Sequence, residues 1–412
     1  MSEIISAEIP VPASRAKLFL IEKLLRNEIN CEELATLRTT VDAGDLSFII
    51  EKIYDLNEMQ VIKFAMVNRF TSRVDLVKNA QRNSRFYAKI KKDFRNGTNK
   101  IILAEGDSWF NYPVILSDVI DWVAMEENMA VYSLASGGDW LLNMLNARKY
   151  VEEFSVIHPD FFVISGGGND LLGNYRLAAV LDPGGKSAEL DKSEWAQRLI
   201  LKATARQTIP LDAHRFESGI RYLSKDFYAL LMFFDLQYYY LINGILTGGT
   251  GEVASGKFAG IKIITQGYDY AIPSFKLGFG LNPLRWYIPF IRSLLGHGSW
   301  LKTPLLLRGI IQHQTQTDII YAMIYLFNEV MIETGEVFSR VPGLENSVCH
   351  IDSRGSVGKN GWTDELHPKP EHFQATARTF IDCINGVPSP HGRVYIVKEM
   401  HPWPPLNSMK HS

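Results

Sequence analysis

Residues 100–108, KIILAEGDS, decide the fold. After Lys100 the run is apolar and β-prone, too short for a core helix, and it stops at the turn Gly106-Asp107-Ser108. A short apolar run closed by a turn reads as a strand buried on both faces, the kind from which parallel sheets are built. The same pattern returns at 130–134, 161–165, 261–265 and 348–352, each followed by a Gly-rich or polar loop, with helical segments between. Such alternation predicts βαβ units, hence an α/β domain with a mostly parallel sheet and helices on both faces. Open sheets of this kind bind ligands outside the C-terminal ends of their strands. The chemistry is therefore expected in those loops.

Upstream of this stretch, residues 14–95 carry only helical patterns. Leu46, Ile49, Ile50, Ile53 and Tyr54 form an i, i+3, i+4, i+7, i+8 stripe, and Asn30 with Glu33 has the spacing of a capping box. Asn96-Gly97-Thr98-Asn99 breaks the pattern. The expected organisation is an N-terminal helical region (1–98), a sheet domain (99–386) and a Pro-rich, irregular C-terminal tail (387–412). Two insertions enlarge the sheet domain, at about 174–258 and 275–305. The second holds Trp286, Tyr287, Phe290, Leu294, Leu295 and Trp300 among prolines and glycines, the composition of a binding loop.

Of the 412 residues, 46% are hydrophobic and 21% charged, with a net charge of −2. That composition fits a globular protein and gives no overall field for nucleic acid. Cys31, Cys349 and Cys383 are far apart, without a disulfide framework or a zinc spacing. The first twelve residues lack a basic region followed by an apolar one, so a cytoplasmic location is expected. The apolar segment 228–246 has the length of a membrane span but carries Asp235 near its middle, which costs roughly 3 kcal/mol on insertion scales; a buried or lid-forming helix is expected instead. Between 60 and 95, Lys63, Arg69, Arg73, Lys78, Arg82, Arg85, Lys89, Lys91, Lys92 and Arg95 far outnumber the acids. This segment is a solvated helix face, or a candidate for peripheral contact with an anionic membrane or an acidic partner.

Ser108 sits in a turn that can hold a side chain exposed at a helix N-terminus. A serine becomes nucleophilic only beside a base that a third group orients. Asp364 and His367, three residues apart in the run Asp364-Glu365-Leu366-His367-Pro368, can supply that pair. Acyl transfer further needs donors aimed at a developing oxyanion. Gly138, in Ser136-Gly137-Gly138-Asp139, can offer its N–H where a side chain would block approach, and Asn169, in Gly168-Asn169-Asp170, a side-chain N–H. Each motif alone is weak: Gly-Asp-Ser is a common turn. Gly166-Gly167-Gly168 is not followed by the Gly-Lys-Ser/Thr of a phosphate loop. Asp364, His367 and His372 match no zinc spacing, and His158 and His350 read as structural. Four motifs in this order, three of them at strand ends and the last just beyond one, however, make one hydrolytic site.

Together the four motifs resemble the blocks of the SGNH hydrolases, the GDSL-like esterases and lipases, over roughly residues 100–385 without the insertions. The resemblance implies a three-layer α/β/α, flavodoxin-like domain with a parallel five-stranded sheet. It implies Ser108 as nucleophile, His367 and Asp364 as the rest of a triad, and Ser108, Gly138 and Asn169 as the oxyanion hole, with no metal or organic cofactor. The expected activity is ester hydrolysis through an acyl-enzyme, the substrate being a small-molecule or lipid ester such as a lysophospholipid or thioester. Acyl transfer to another acceptor uses the same residues, and a binding or signalling module with a vestigial site is the reading from another class. Trp109 stands where the family usually has Leu; it and Trp140 are the candidates for lining the substrate pocket.

Overall fold

A computed structural model describes residues 12–55, 71–91, 94–95, 97–112, 117–186, 192–206, 209–248, 258, 260–274 and 300–398. Strands β1 (Lys100–Gly106), β2 (Met129–Ser133), β3 (Phe161–Ser165), β4 (Lys262–Gln266), β5 (Val348–Asp352) and β6 (Val394–Ile396) form one sheet. Their order is β2-β1-β3-β4-β5-β6, and each neighbouring pair is parallel. Strands β1, β3 and β4 bury nearly every residue, as strands covered on both faces must. The chain leaves β1 for β2 on one side and returns to β3 on the other. The sheet's order therefore reverses between β1 and β3, where a crevice opens at the C-terminal strand ends.

The sixth strand corrects the expectation of five. It comes from the segment read as an irregular tail, spans three residues and buries only one of them fully. Its run, Val394-Tyr395-Ile396-Val397, is apolar but only four residues long and follows a segment rich in Pro and Gly.

Helices α1 (Pro12–Leu25), α2 (Cys31–Thr40), α3 (Ala43–Ile53) and α4 (Thr71–Lys89) precede the sheet. Interleaved with its strands are α5 (Val119–Met125), α6 (Leu141–Ala147), α7 (Lys149–Ile157), α8 (Gly168–Leu172), α9 (Glu194–Ala205), α10 (Ala213–Ile220), α11 (Lys225–Leu246), α12 (Lys302–Leu307), α13 (His313–Phe338) and α14 (Pro370–Ile384). The expected capping box opens α2, with Asn30 and Glu33 exchanging backbone-to-side-chain bonds of 2.9 and 3.0 Å. The stripe from Leu46 to Tyr54 is buried in one cluster that also holds the sheet residues.

Helix α11 is long and apolar enough to cross a membrane, yet 78% of that stretch is buried inside the protein. Its Asp235 explains how a carboxylate survives there. Arg38 on α2 donates Nε and Nη2 to its two oxygens at 2.7 and 2.9 Å, and Thr334 on α13 donates its hydroxyl at 2.9 Å. A buried charge is tolerable when it is paired and its lone pairs are used.

The basic helix α4 turns much of its charge inward. Arg82, buried, donates to Asp118 at 2.6 Å, to Asp121 at 2.8 Å and to the Phe110 carbonyl at 2.8 Å. Lys78 reaches Asp118 at 2.6 Å, and Lys89 donates to the carbonyls of Ala124, Glu126 and Met129. Asn83 bonds both backbone groups of Ser133 at 2.8 and 3.1 Å, so α4 closes the open edge of the sheet at β2, where unpaired backbone groups would otherwise invite another strand. Arg95, beyond the helix, donates to the carbonyls of Ile157 and His158. Arg85 and Lys91 are exposed. Lys63, Arg69 and Lys92 lie outside the described residues, as do residues 275–299 with Trp286, Tyr287, Phe290, Leu294 and Leu295, and residues 399–412 of the tail.

Candidate active site

Three strand ends and one loop meet at the crevice. After β1 the chain makes a single helical turn, not a helix: the Asp107 carbonyl accepts the N–H groups of Phe110 and Asn111 at 3.1 and 2.9 Å. The Asp107 carboxylate caps the Trp109 N–H at 3.1 Å. The expectation that Ser108 opens a helix is thus corrected; the next helix, α5, begins only at Val119. The turn is held by its own Asp, and the Ser108 N–H has no acceptor among the described residues.

Asp364 and His367 stand on a tight loop that the Thr363 N–H closes onto the His367 carbonyl at 2.8 Å. His367 Nε2 lies 2.8 Å from Ser108 Oγ, and its Nδ1 lies 2.9 Å from both oxygens of Asp364. Asp364 Oδ1 also accepts the N–H groups of Leu366 and His367, each at 2.8 Å. Burial pushes this carboxyl up, but the imidazole and the N–H donors outweigh burial and hold it below the ordinary value. The charged carboxylate fixes Nδ1 as the protonated nitrogen. That leaves the Nε2 lone pair free to accept the Ser108 proton. The ring is further held between Tyr112, 4.7 Å away centroid to centroid, and Trp300, edge-on at 6.1 Å.

Asn169 lies at the start of α8 and donates one amide hydrogen to the Asp139 carbonyl at 3.1 Å. Among the described residues its other amide hydrogen has no acceptor. That bond ties the β3 loop to the β2 loop, where Gly138 takes φ +80°, a conformation other residues avoid. Asp170 completes the tie by accepting the Leu141 N–H at 3.0 Å. Ser108, Asn169 and Trp109 line one cavity, whereas Gly138 and Trp140 are not among its lining residues. Trp140 is buried, with the Arg176 guanidinium 3.8 Å from the centre of its ring.

Two residues with roles here carry no motif of their own. The Tyr268 hydroxyl donates to Asp107 at 2.5 Å and accepts the Gly168 N–H at 3.1 Å, bracing the β1 turn against the β3 turn. A Cβ on Gly168 would lie 2.9 Å from that ring. Burial raises Asp107 to about 6 despite the Tyr268 bond. Glu365, beside Asp364, accepts the N–H groups of Ser274, Leu301 and Lys302 at 2.7, 2.9 and 3.0 Å, joining residues on either side of 275–299 to the triad loop. Burial raises it to about 7. The signal for Tyr268 was the polar run Gln266-Gly267-Tyr268-Asp269 at the end of an apolar strand; for Glu365 there was only its place in the last motif.

No family model matches the chain, and no curated protein matches it. Among solved structures, the crystal structure of a putative GDSL-like lipase from Parabacteroides merdae is matched with a TM-score of 0.31 at 8% identity, over 70% of this chain and 96% of that one.

Proposed function

We propose that this chain is a serine ester hydrolase. The observation that carries the reading is the unbroken relay from Ser108 Oγ through His367 to Asp364, with links of 2.8 and 2.9 Å. In this reading His367 Nε2 takes the Ser108 proton as Oγ attacks the ester carbonyl. The tetrahedral oxyanion is met by the Ser108 N–H and the Asn169 amide; the expected third donor, Gly138, lies on the loop to which that amide is bonded. His367 then protonates the departing alcohol, leaving an acyl group on Ser108. Water, deprotonated by the same imidazole, releases the acid. Asp364 keeps the ring in the one tautomer that serves both steps.

The geometry is that of a resting site, with nucleophile and base already within hydrogen-bond reach, and it favours turnover over a vestigial module. Replacing Ser108 by Ala should abolish hydrolysis of 4-nitrophenyl acetate and labelling by a fluorophosphonate while the thermal transition stays in place. Undiminished hydrolysis by Ser108→Ala would rule the reading out.

A further inference from the structure

The cavity at Ser108 limits the acyl group. Its volume is about 30 Å³, and on the same measure one water needs about 10–15 Å³. Two water-sized groups therefore fit. The carbonyl oxygen takes one place, next to the Ser108 N–H and the Asn169 amide. The other admits a single hydrogen or methyl on the acyl carbon.

The apolar walls are Trp109, Leu172, Tyr268, Ala271, Ile324 and Leu366, and all but Leu366 are buried. They have little freedom to retreat. Tyr268 is pinned through its hydroxyl to Asp107 and Gly168. Trp109 packs edge-on against both Tyr268 and Phe373, each at 5.5 Å, and donates its indole N–H to the Leu366 carbonyl at 3.3 Å. Ile324 belongs to α13, whose surrounding residues are buried almost throughout. By contrast Ser108, Asn169 and Leu366 are half-buried and form the open side. The arrangement proposed here seats the acyl carbon against the buried walls and the leaving alcohol toward that side.

We propose that the acid half of the substrate is acetyl-sized, and that Ile324 and Leu172 are the residues that exclude longer acids. The proposal rests on the serine-hydrolase reading. In the acylation step the bond from Ser108 Oγ to the acetyl carbon forms, the ester C–O bond breaks, and the Ser108 proton leaves on the alcohol through His367, so atoms and charge balance.

The test compares 4-nitrophenyl acetate, butyrate and octanoate with the full chain, each kcat/KM divided by that ester's own rate with hydroxide. A methylene that a pocket cannot house changes kcat/KM roughly tenfold or more, so butyrate should trail acetate by about a hundredfold and octanoate should not turn over. Ile324→Ala and Leu172→Ala should each raise the butyrate-to-acetate ratio about tenfold or more through kcat/KM; Ile324→Val, with its melting temperature measured, gives a smaller shift should Ile324→Ala not fold. Wild-type turnover of butyrate or octanoate equal to acetate, lost in Ser108→Ala, overturns the acyl limit and leaves the hydrolase reading standing. An acetate preference that neither wall variant alters overturns the assignment of the walls. No Ser108-dependent turnover of any ester overturns both readings.

Discussion

Asp364 accepts from a ring nitrogen and two backbone N–H groups at once, so its charge and its geometry can be separated by mutation. Asparagine keeps the size but presents an amide that favours the wrong imidazole tautomer. Asp364→Asn should lower kcat on 4-nitrophenyl acetate by roughly 10³- to 10⁴-fold, with an unchanged circular-dichroism spectrum. Asn169→Ala, which removes a proposed oxyanion donor, should lower kcat by about 10²- to 10³-fold and leave fluorophosphonate labelling of Ser108 detectable. Ser108, Asp364 and His367 were legible because each lies in a short motif, although Ser108 and His367 are 259 positions apart. Tyr268 and Glu365 were not legible as functional. Their bonds go to a carboxylate 161 residues away and to backbone groups 63 to 91 residues away, and backbone partners leave no mark on composition. The cavity volume, likewise, is a property of packed walls and is written in no local pattern.

Strands β1 to β5 announced themselves as buried apolar runs, and the stripe on α3 as a helix face. The element whose meaning the sequence hid is α4. Its excess of cations looks like a surface for an external anion, while Arg82 and Lys78 find Asp118 and Asp121 inside the chain. Charge counts along a segment cannot see acids brought in by the fold. The Arg38–Asp235 pair makes a similar tie between α2 and α11, and its energetics are testable. Arg38→Met leaves a buried carboxylate without its cation, which should destabilise the protein by about 3–5 kcal/mol in urea unfolding. The double variant Arg38→Met with Asp235→Leu should recover most of that loss, since replacing a whole buried pair by apolar groups is often close to neutral.

Across the molecule, stability should depend on pH through carboxyl groups that burial has raised. Asp170, Asp269 and Glu365 each sit near 7, above the ordinary carboxyl value of about 4. In the folded state they stay protonated where the unfolded chain has ionised, so their contribution is full below about pH 4 and is lost as pH rises through about 7. Asp352 and Asp364 work the other way: burial raises them, but the Arg354 guanidinium beside Asp352, and the His367 ring and backbone N–H donors around Asp364, hold them below the ordinary value, so their contribution is lost as pH falls below about 4. The melting temperature should therefore fall between about pH 5 and pH 8, each raised group contributing on the order of 1 kcal/mol or more. Glu365→Gln should flatten that slope even where it lowers stability at every pH; scanning calorimetry across the range reads both. The tie between Arg38 and Asp235 also has a temporal side, because 197 positions separate them. At about 5–20 residues per second a ribosome needs roughly 10–40 s to cover that distance. For that interval the nascent N-terminal helices carry an apolar face whose partner has not yet been synthesised, and they must be shielded from one another until it emerges.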